Sequence, residues 1–213
     1  MKIVIIDYGI GNTQSLINSF RKIGLDDIIL TDNEEIISKS DLIILPGVGA
    51  YGNAMLELKK RGLDKIIKNY SKIKKPIVGI CLGMQLLFEN SQEFGNHKGL
   101  GLIEGEVVKF PTNVNDKIPH VSWNNLKIND KKLYTNISKD DYFYFVHSFI
   151  CSPKNDLEIL TTTSYGGIDF CSSVKKDNIY GYQFHPEKSS KKGLLILKNL
   201  INHIKSEHSH NNI

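Results

Sequence analysis

Four short apolar runs, at residues 3–6, 27–30, 41–45 and 76–80, punctuate the first ninety residues of this chain. Each is rich in isoleucine, leucine or valine and too short to make a buried helix. Between them, apolar residues recur at helical spacing. Leu16, Ile17, Phe20 and Ile23 form one such set, Met55, Leu56 and Leu58 a second, and Leu63, Ile66 and Ile67 a third. Strands without an alternating polar face are buried on both sides, and strand–helix alternation builds parallel sheets with right-handed crossovers. The pattern predicts an α/β fold: a doubly wound, flavodoxin-like, mainly parallel central sheet. A brief helix after the second strand is expected to start at a capping box, Thr31-x-x-Glu34.

The second half reads differently. Short strands are expected at 105–110, 142–146, 158–164, 169–174 and 180–184, with Gly166-Gly167 as a hairpin turn. With no linker before them, they predict an antiparallel extension of the same sheet. Leu194, Leu195, Leu197, Leu200, Ile201 and Ile204 mark a final amphipathic helix from Ser190. The expected organisation is one domain over 1–206 and a flexible polar tail over 207–213.

Composition removes several function classes. The net charge is only +4 in 213 residues, and the lysine runs lack interleaved aromatics. A nucleic-acid partner is not expected. No apolar stretch reaches membrane-spanning length, and Met1-Lys2-Ile3-Val4-Ile5-Ile6-Asp7 is too short and too acidic at its end for a signal peptide. Cys81, Cys151 and Cys171 form neither a CxxC pair nor a metal-ligand spacing, so no metal or cofactor is expected. Sparse, odd-numbered cysteines suit a reducing, cytoplasmic setting.

The chemistry concentrates at Gly79-Ile80-Cys81-Leu82-Gly83. A strand that turns at once into a helix leaves no room for Cβ atoms beside its apex, so glycines bracket a nucleophile there. The sulfur is expected at the carboxyl end of the sheet, beside a helix N-terminus. Most free cysteines are inert core residues. Cys81 is read otherwise because Phe184-His185-Pro186-Glu187 offers a base and a carboxylate two residues on. In extended backbone, residues i and i+2 point the same way, which brings Glu187 to the imidazole. A thiol nucleophile needs such a base, and the base needs a group to fix its tautomer. The glycine-rich run Pro46-Gly47-Val48-Gly49 follows a strand and exposes N–H groups. Those of Val48, Gly49 and Leu82 are candidates to hold an oxyanion. Gly9-x-Gly11 lacks the third glycine of a dinucleotide fingerprint and is read as a strand-to-helix turn. By themselves these residues fit amide hydrolysis by a glutaminase or by a cysteine peptidase.

The elbow together with Phe184-His185-Pro186-Glu187 resembles the class I, or triad, glutamine amidotransferases. Asp7-Tyr8-Gly9-x-Gly11-Asn12, Pro46-Gly47-Val48-Gly49-Ala50-Tyr51, Pro119-His120-x-x-Trp123-Asn124 and Phe145-Val146-His147-Ser148 are similar to the glutaminase subunits of imidazole glycerol phosphate synthases. The resemblance covers residues 2–205. It implies a Cys81–His185–Glu187 triad that hydrolyses glutamine to glutamate and ammonia. Gln85, Glu93, His147 and Ser148 match substrate-pocket positions. Tyr8, Asn12, His120, Trp123 and Asn124 match positions near a subunit interface. The implied partner is a (βα)8-barrel cyclase in a heterodimer, which would use the ammonia to make imidazole glycerol phosphate and AICAR in histidine biosynthesis. Paralogues of this subunit feed sugar amidotransferases in cell-surface glycan synthesis, which is the alternative. Ser122 stands where the family usually has glycine.

Overall fold

The computed structural model describes residues 1–210. Strands β1 (Ile3–Ile6), β2 (Ile28–Thr31), β3 (Leu42–Leu45) and β4 (Ile77–Ile80) pair in parallel. Helices α1 (Thr13–Lys22), α2 (Glu34–Ser38), α3 (Tyr51–Lys60) and α4 (Leu63–Lys72) connect them. Every residue of β1, β3 and β4 is buried. Their side chains alternate between two cores, with Ile3, Ile5, Ile44 and Val78 on one face and Val4, Ile6, Ile43 and Ile77 on the other. Burying each such side chain contributes about 1.5–3 kcal/mol, which is why these runs lack a polar face.

After α5 (Leu82–Leu86) the chain makes β5 (Phe88–Ser91), β6 (His97–Lys98), β7 (Ile103–Lys109), β8 (His120–Asn125) and β9 (Lys127–Ile128). It continues through β10 (Tyr142–His147), β11 (Phe149–Pro153), β12 (Ile159–Tyr165), β13 (Ile168–Lys176) and β14 (Ile179–Tyr182), and ends in α6 (Ser190–His210). Among the described residues the main sheet runs β2-β1-β3-β4-β14-β13-β11-β7-β5-β6. The β14 strand adds to β4 in parallel, completing a flavodoxin-like order with a strand from the far end of the chain. From β13 onward the sheet continues antiparallel through β11 and β7. The expected α/β sheet with an antiparallel extension is therefore present. Tyr165 lies opposite Ile168 across Gly166 and Gly167, at φ 54° and 80°, as a two-residue hairpin of the type I′ kind requires.

Several local expectations are corrected. The Thr31 hydroxyl accepts only from Asn33 N, and the cap of α2 is Asn33, whose side chain accepts from Ile36 N. Thr31 is still paired in β2, so the helix has to start two residues later. The helix that follows Cys81 ends at Leu86, and Phe88 opens β5; a short buried apolar run carries no period to separate helix from strand. The strand expected at 142–146 does not extend the main sheet. It pairs with β8 as a separate two-stranded sheet. Residues 207–210 of the expected tail are helical, and residues 211–213 lie outside the described residues. Among the described residues no helix is long and apolar enough to cross a membrane.

Candidate active site

Three adjacent parallel strands, β3, β4 and β14, deliver the candidate residues from their carboxyl ends. Sites form at that edge because the connecting loops and helix N-termini converge there.

Cys81 follows β4 directly and is the N-cap of α5, at φ 55° and ψ −112°. A side-chain-bearing residue at positive φ costs on the order of 1–3 kcal/mol. The glycines beside it have no alternative. A Cβ on Gly79 would lie 2.5 Å from the Gly83 carbonyl oxygen, and one on Gly83 would collide with the carbonyl oxygen of Leu45. The strand end of β3 and the start of α5 are thus in backbone contact. Cys81 itself is 6% exposed.

His185 and Glu187 come from the turn after β14. The strand stops at Tyr182, two residues earlier than expected, and Pro186 opens a 3-10 turn over Pro186–Lys188. The carboxylate therefore reaches the imidazole around a tight turn and not along an extended strand. Glu187 Oε1 accepts from His185 Nδ1 at 2.7 Å, and both side chains are almost fully buried. Among the described residues His185 Nε2 is buried without a hydrogen-bond partner. Burial alone would lower the pKa of His185, but the charge of Cys81, contact with its sulfur and the Glu187 carboxylate outweigh it and raise the value to about 10. The turn is braced from the small sheet. His185 N donates to the Tyr144 carbonyl at 2.9 Å, and Ser189 Oγ both donates to the His185 carbonyl and accepts from Tyr144 N.

The 46–49 loop leaves β3 alongside. Val48 is 39% exposed, and Gly49 has φ +89°, which favours glycine. Neither N–H donates to another backbone group among the described residues. Leu82 opens α5, so its N–H has no acceptor within the helix. The chain approaches Gly47 so closely that a Cβ there would sit 2.8 Å from both Leu82 Cβ and the Tyr8 hydroxyl.

A cavity of about 410 Å³ opens over Cys81 and is lined by Val48, Gly49, Leu82, Gln85, Glu93, His147 and Ser148. All the expected oxyanion and substrate-pocket positions thus meet in one space. Glu93 Oε2 also accepts from Tyr51 N at 2.6 Å, so the carboxylate caps the start of α3. His147 donates from Nδ1 to the Phe149 carbonyl at 2.9 Å, leaving Nε2 to accept from His120 Nδ1 at 3.0 Å. Burial and the neighbouring His120 push the pKa of His147 down to about 3. Burial likewise lowers His120, against a hydrogen bond to Asn124.

The five residues expected near an interface separate. Tyr8 and His120 are fully buried and present no surface to a partner. Tyr8 donates to the Pro46 carbonyl, and His120 stacks between Phe145 and Tyr165. Asn12 and Trp123 are exposed, and Asn124 is half-buried, bonded through Nδ2 to the Ser164 carbonyl. Ser122 places its hydroxyl 2.9 Å from His120 Nε2 and 2.5 Å from Asn124 Oδ1. Sequence reading missed Tyr144, Lys188 and Gln183. Tyr144 and Lys188 line the cavity, and Gln183 lies against Cys81 Sγ. Gln183 and Lys188 flank the His-Pro-Glu signature, and that adjacency was the only available signal.

Comparison with known proteins defines the class, a glutamine amidotransferase. The family model described as glutamine amidotransferase class-I matches residues 4–203, and the chain belongs to that family, among relatives named as imidazole glycerol phosphate synthase subunit HisH. It is 50% identical over 203 residues to HisH 2 of Methanococcus maripaludis, covering 93% of this chain and 98% of the relative. It is 47% identical over 196 residues to HisH of Listeria monocytogenes, covering 92% and 93%. HisH of Aquifex aeolicus is 42% identical over 200 residues, covering 93% and 95%. The fold is similar to that of a solved glutamine amidotransferase from Thermotoga maritima, with a TM-score of 0.61 at 18% identity over 100% of this chain and 86% of that one.

Proposed function

We propose that this chain is the glutaminase subunit of an imidazole glycerol phosphate synthase, with Cys81, His185 and Glu187 as its catalytic residues. The observation that carries the reading is the buried His185–Glu187 pair, whose imidazole is raised by the neighbouring Cys81, in a chain whose relatives at 41–50% identity bear that subunit's name.

Cys81 thiolate attacks the side-chain amide carbon of glutamine. The carbonyl oxygen takes up the negative charge and is held by N–H groups of Val48 or Gly49 and of Leu82. Each such donor is worth roughly 3 kcal/mol in comparable sites. His185, protonated and steadied by Glu187, gives its proton to the amide nitrogen. The C–N bond breaks and ammonia leaves. Water then gives a proton to His185 and attacks the thioester, which releases glutamate and restores the thiolate. Gln85, Glu93, His147 and Ser148 line the space for the substrate's polar groups, and about 410 Å³ suits a ligand of that size.

The ammonia passes to a (βα)8-barrel cyclase bound to this subunit in a heterodimer, which uses it to make imidazole glycerol phosphate and AICAR. The half-exposed Trp123 and the exposed Val121 and Tyr142 support a docking face on the small sheet beside the cavity. Purified chain should release ammonia from glutamine slowly alone and faster with the cyclase, and Cys81→Ala should abolish release. Wild-type turnover by Cys81→Ala would overturn the mechanism. A cyclase that neither binds nor stimulates would overturn the partner.

A further inference from the structure

Gln183 is fully buried, and nothing in the hydrolytic cycle above uses it. It lies one residue past β14, with its backbone N–H donating to the Ser172 carbonyl at 2.9 Å. Its side-chain nitrogen sits 3.9 Å from Cys81 Sγ, and its side-chain oxygen sits 3.1 Å from Gln85 Nε2.

The orientation of this amide follows from what surrounds it. The Phe149 carbonyl oxygen can only accept, and it lies 3.1 Å from one end of the Gln85 amide. That end must be the NH2 group. The same NH2 group faces Gln183, so Gln183 must present its oxygen there. The NH2 group of Gln183 is then left to face the sulfur. A carbonyl thus fixes one glutamine, that glutamine fixes a second, and the second directs an N–H at Cys81. Gln183 is fully buried, so bulk water does not reach its amide. An amide N–H aimed at sulfur favours thiolate over thiol, because hydrogen bonds to the charged form stabilise it.

We propose that Gln183 is a positioning residue for the nucleophile: its side-chain amide, oriented by Gln85 and the Phe149 carbonyl, donates to Cys81 Sγ and stabilises the thiolate. The consequence for glutamine hydrolysis rests on the function proposed above, but the effect on the thiolate does not.

The test is alkylation of Cys81 by iodoacetamide in the full chain across a pH series, read by peptide mass spectrometry so that Cys151 and Cys171 are scored separately. Gln183→Met keeps the length and removes the donor. Gln183→Glu keeps the shape and replaces the donor with a carboxylate. Both should move the half-maximal pH of alkylation upward, Glu further than Met, and slow alkylation well below that midpoint about tenfold for each unit of the shift. The rate plateau at high pH should stay within twofold of wild type. In the glutaminase assay kcat should fall while KM changes little. Thermal melts select the variants that remain folded, and Gln85→Glu supplies a second route, since it removes the NH2 group that orients Gln183 and should shift the profile the same way. Folded Met and Glu variants with the wild-type pH profile would overturn the proposal, whatever their turnover. If the profile shifts but wild-type chain hydrolyses no glutamine with or without the cyclase, it is the proposed function that fails.

Discussion

Tyr8 donates its phenolic hydrogen to the Pro46 carbonyl at 2.5 Å, tying the turn after β1 to the loop after β3. Tyr8 is fully buried, and its hydroxyl also fills the space a side chain on Gly47 would need. The loop that offers Val48 and Gly49 is thus pinned at its root and free at its tip. Tyr8→Phe should cost about 1–3 kcal/mol of stability, because the buried carbonyl loses its donor. It should lower kcat more than it raises KM if the loop then samples unproductive orientations. Chemical denaturation and steady-state glutaminase kinetics check both halves.

The two buried histidines of the site bias stability in opposite directions. His147 is held near 3 in the folded chain against an ordinary 6.5, so the unfolded chain binds the extra proton and stability falls as pH drops below about 6.5. His185 is raised to about 10, so its stabilisation is complete below 6.5 and is lost as pH climbs towards 10. Their combined contribution peaks near pH 6.5. Denaturant midpoints measured from pH 4 to 10 should trace this peak. In Cys81→Ala the alkaline limb should flatten, since the charge that raises His185 is gone. A limb unchanged in that variant would count against the assignment.

Glu187→Gln should leave the turn intact but lower the pKa of His185, because the amide can still accept from Nδ1 while carrying no charge. Turnover should drop by about tenfold or more. NMR titration of the His185 ring reads the shift directly.

Gly83→Ala should be among the most disruptive single changes in the chain. Its Cβ would collide with the Leu45 carbonyl, which is backbone and cannot rotate away. Overpacking of this kind typically costs about 1–3 kcal/mol, and more where backbone must move. A melting temperature within a degree of wild type would show that β3 and α5 can separate.

On the small sheet, Trp123→Ala should weaken binding of the cyclase by about thirtyfold, the effect of losing a central tryptophan worth roughly 2 kcal/mol at an interface. Calorimetric titration of the two proteins measures it, with the melting temperature of the isolated chain as control.

The parallel half of the fold was legible because β1, β3 and β4 are buried on both faces and read as unbroken apolar runs. The GxCxG elbow and the His-x-Glu pair were legible because each chemical need maps onto adjacent residues. What escaped was non-local. β8 alternates in reverse: His120, Ser122 and Asn124 turn inward into a hydrogen-bonded network while the apolar Val121 and Trp123 face out, so its pattern does not read as a half-buried strand. Tyr8 matched positions near an interface, and only the path of the 46–49 loop reveals it as an internal tie. Gln183 looked like one more polar residue beside the histidine. Its place against the sulfur depends on Gln85, ninety-eight residues earlier.

The two-stranded sheet has one further consequence. Trp123 lies directly opposite Tyr144 in the β8–β10 register, and the Tyr144 backbone accepts from His185 N on one side and donates to the Ser189 hydroxyl on the other. The rim of the protein and His185 are therefore two strands apart, joined by hydrogen bonds with no flexible linker between them. On this geometry, a protein docked on the small sheet would reach the His185 turn through main-chain hydrogen bonds, with no need for any side chain of the visitor to enter the cavity.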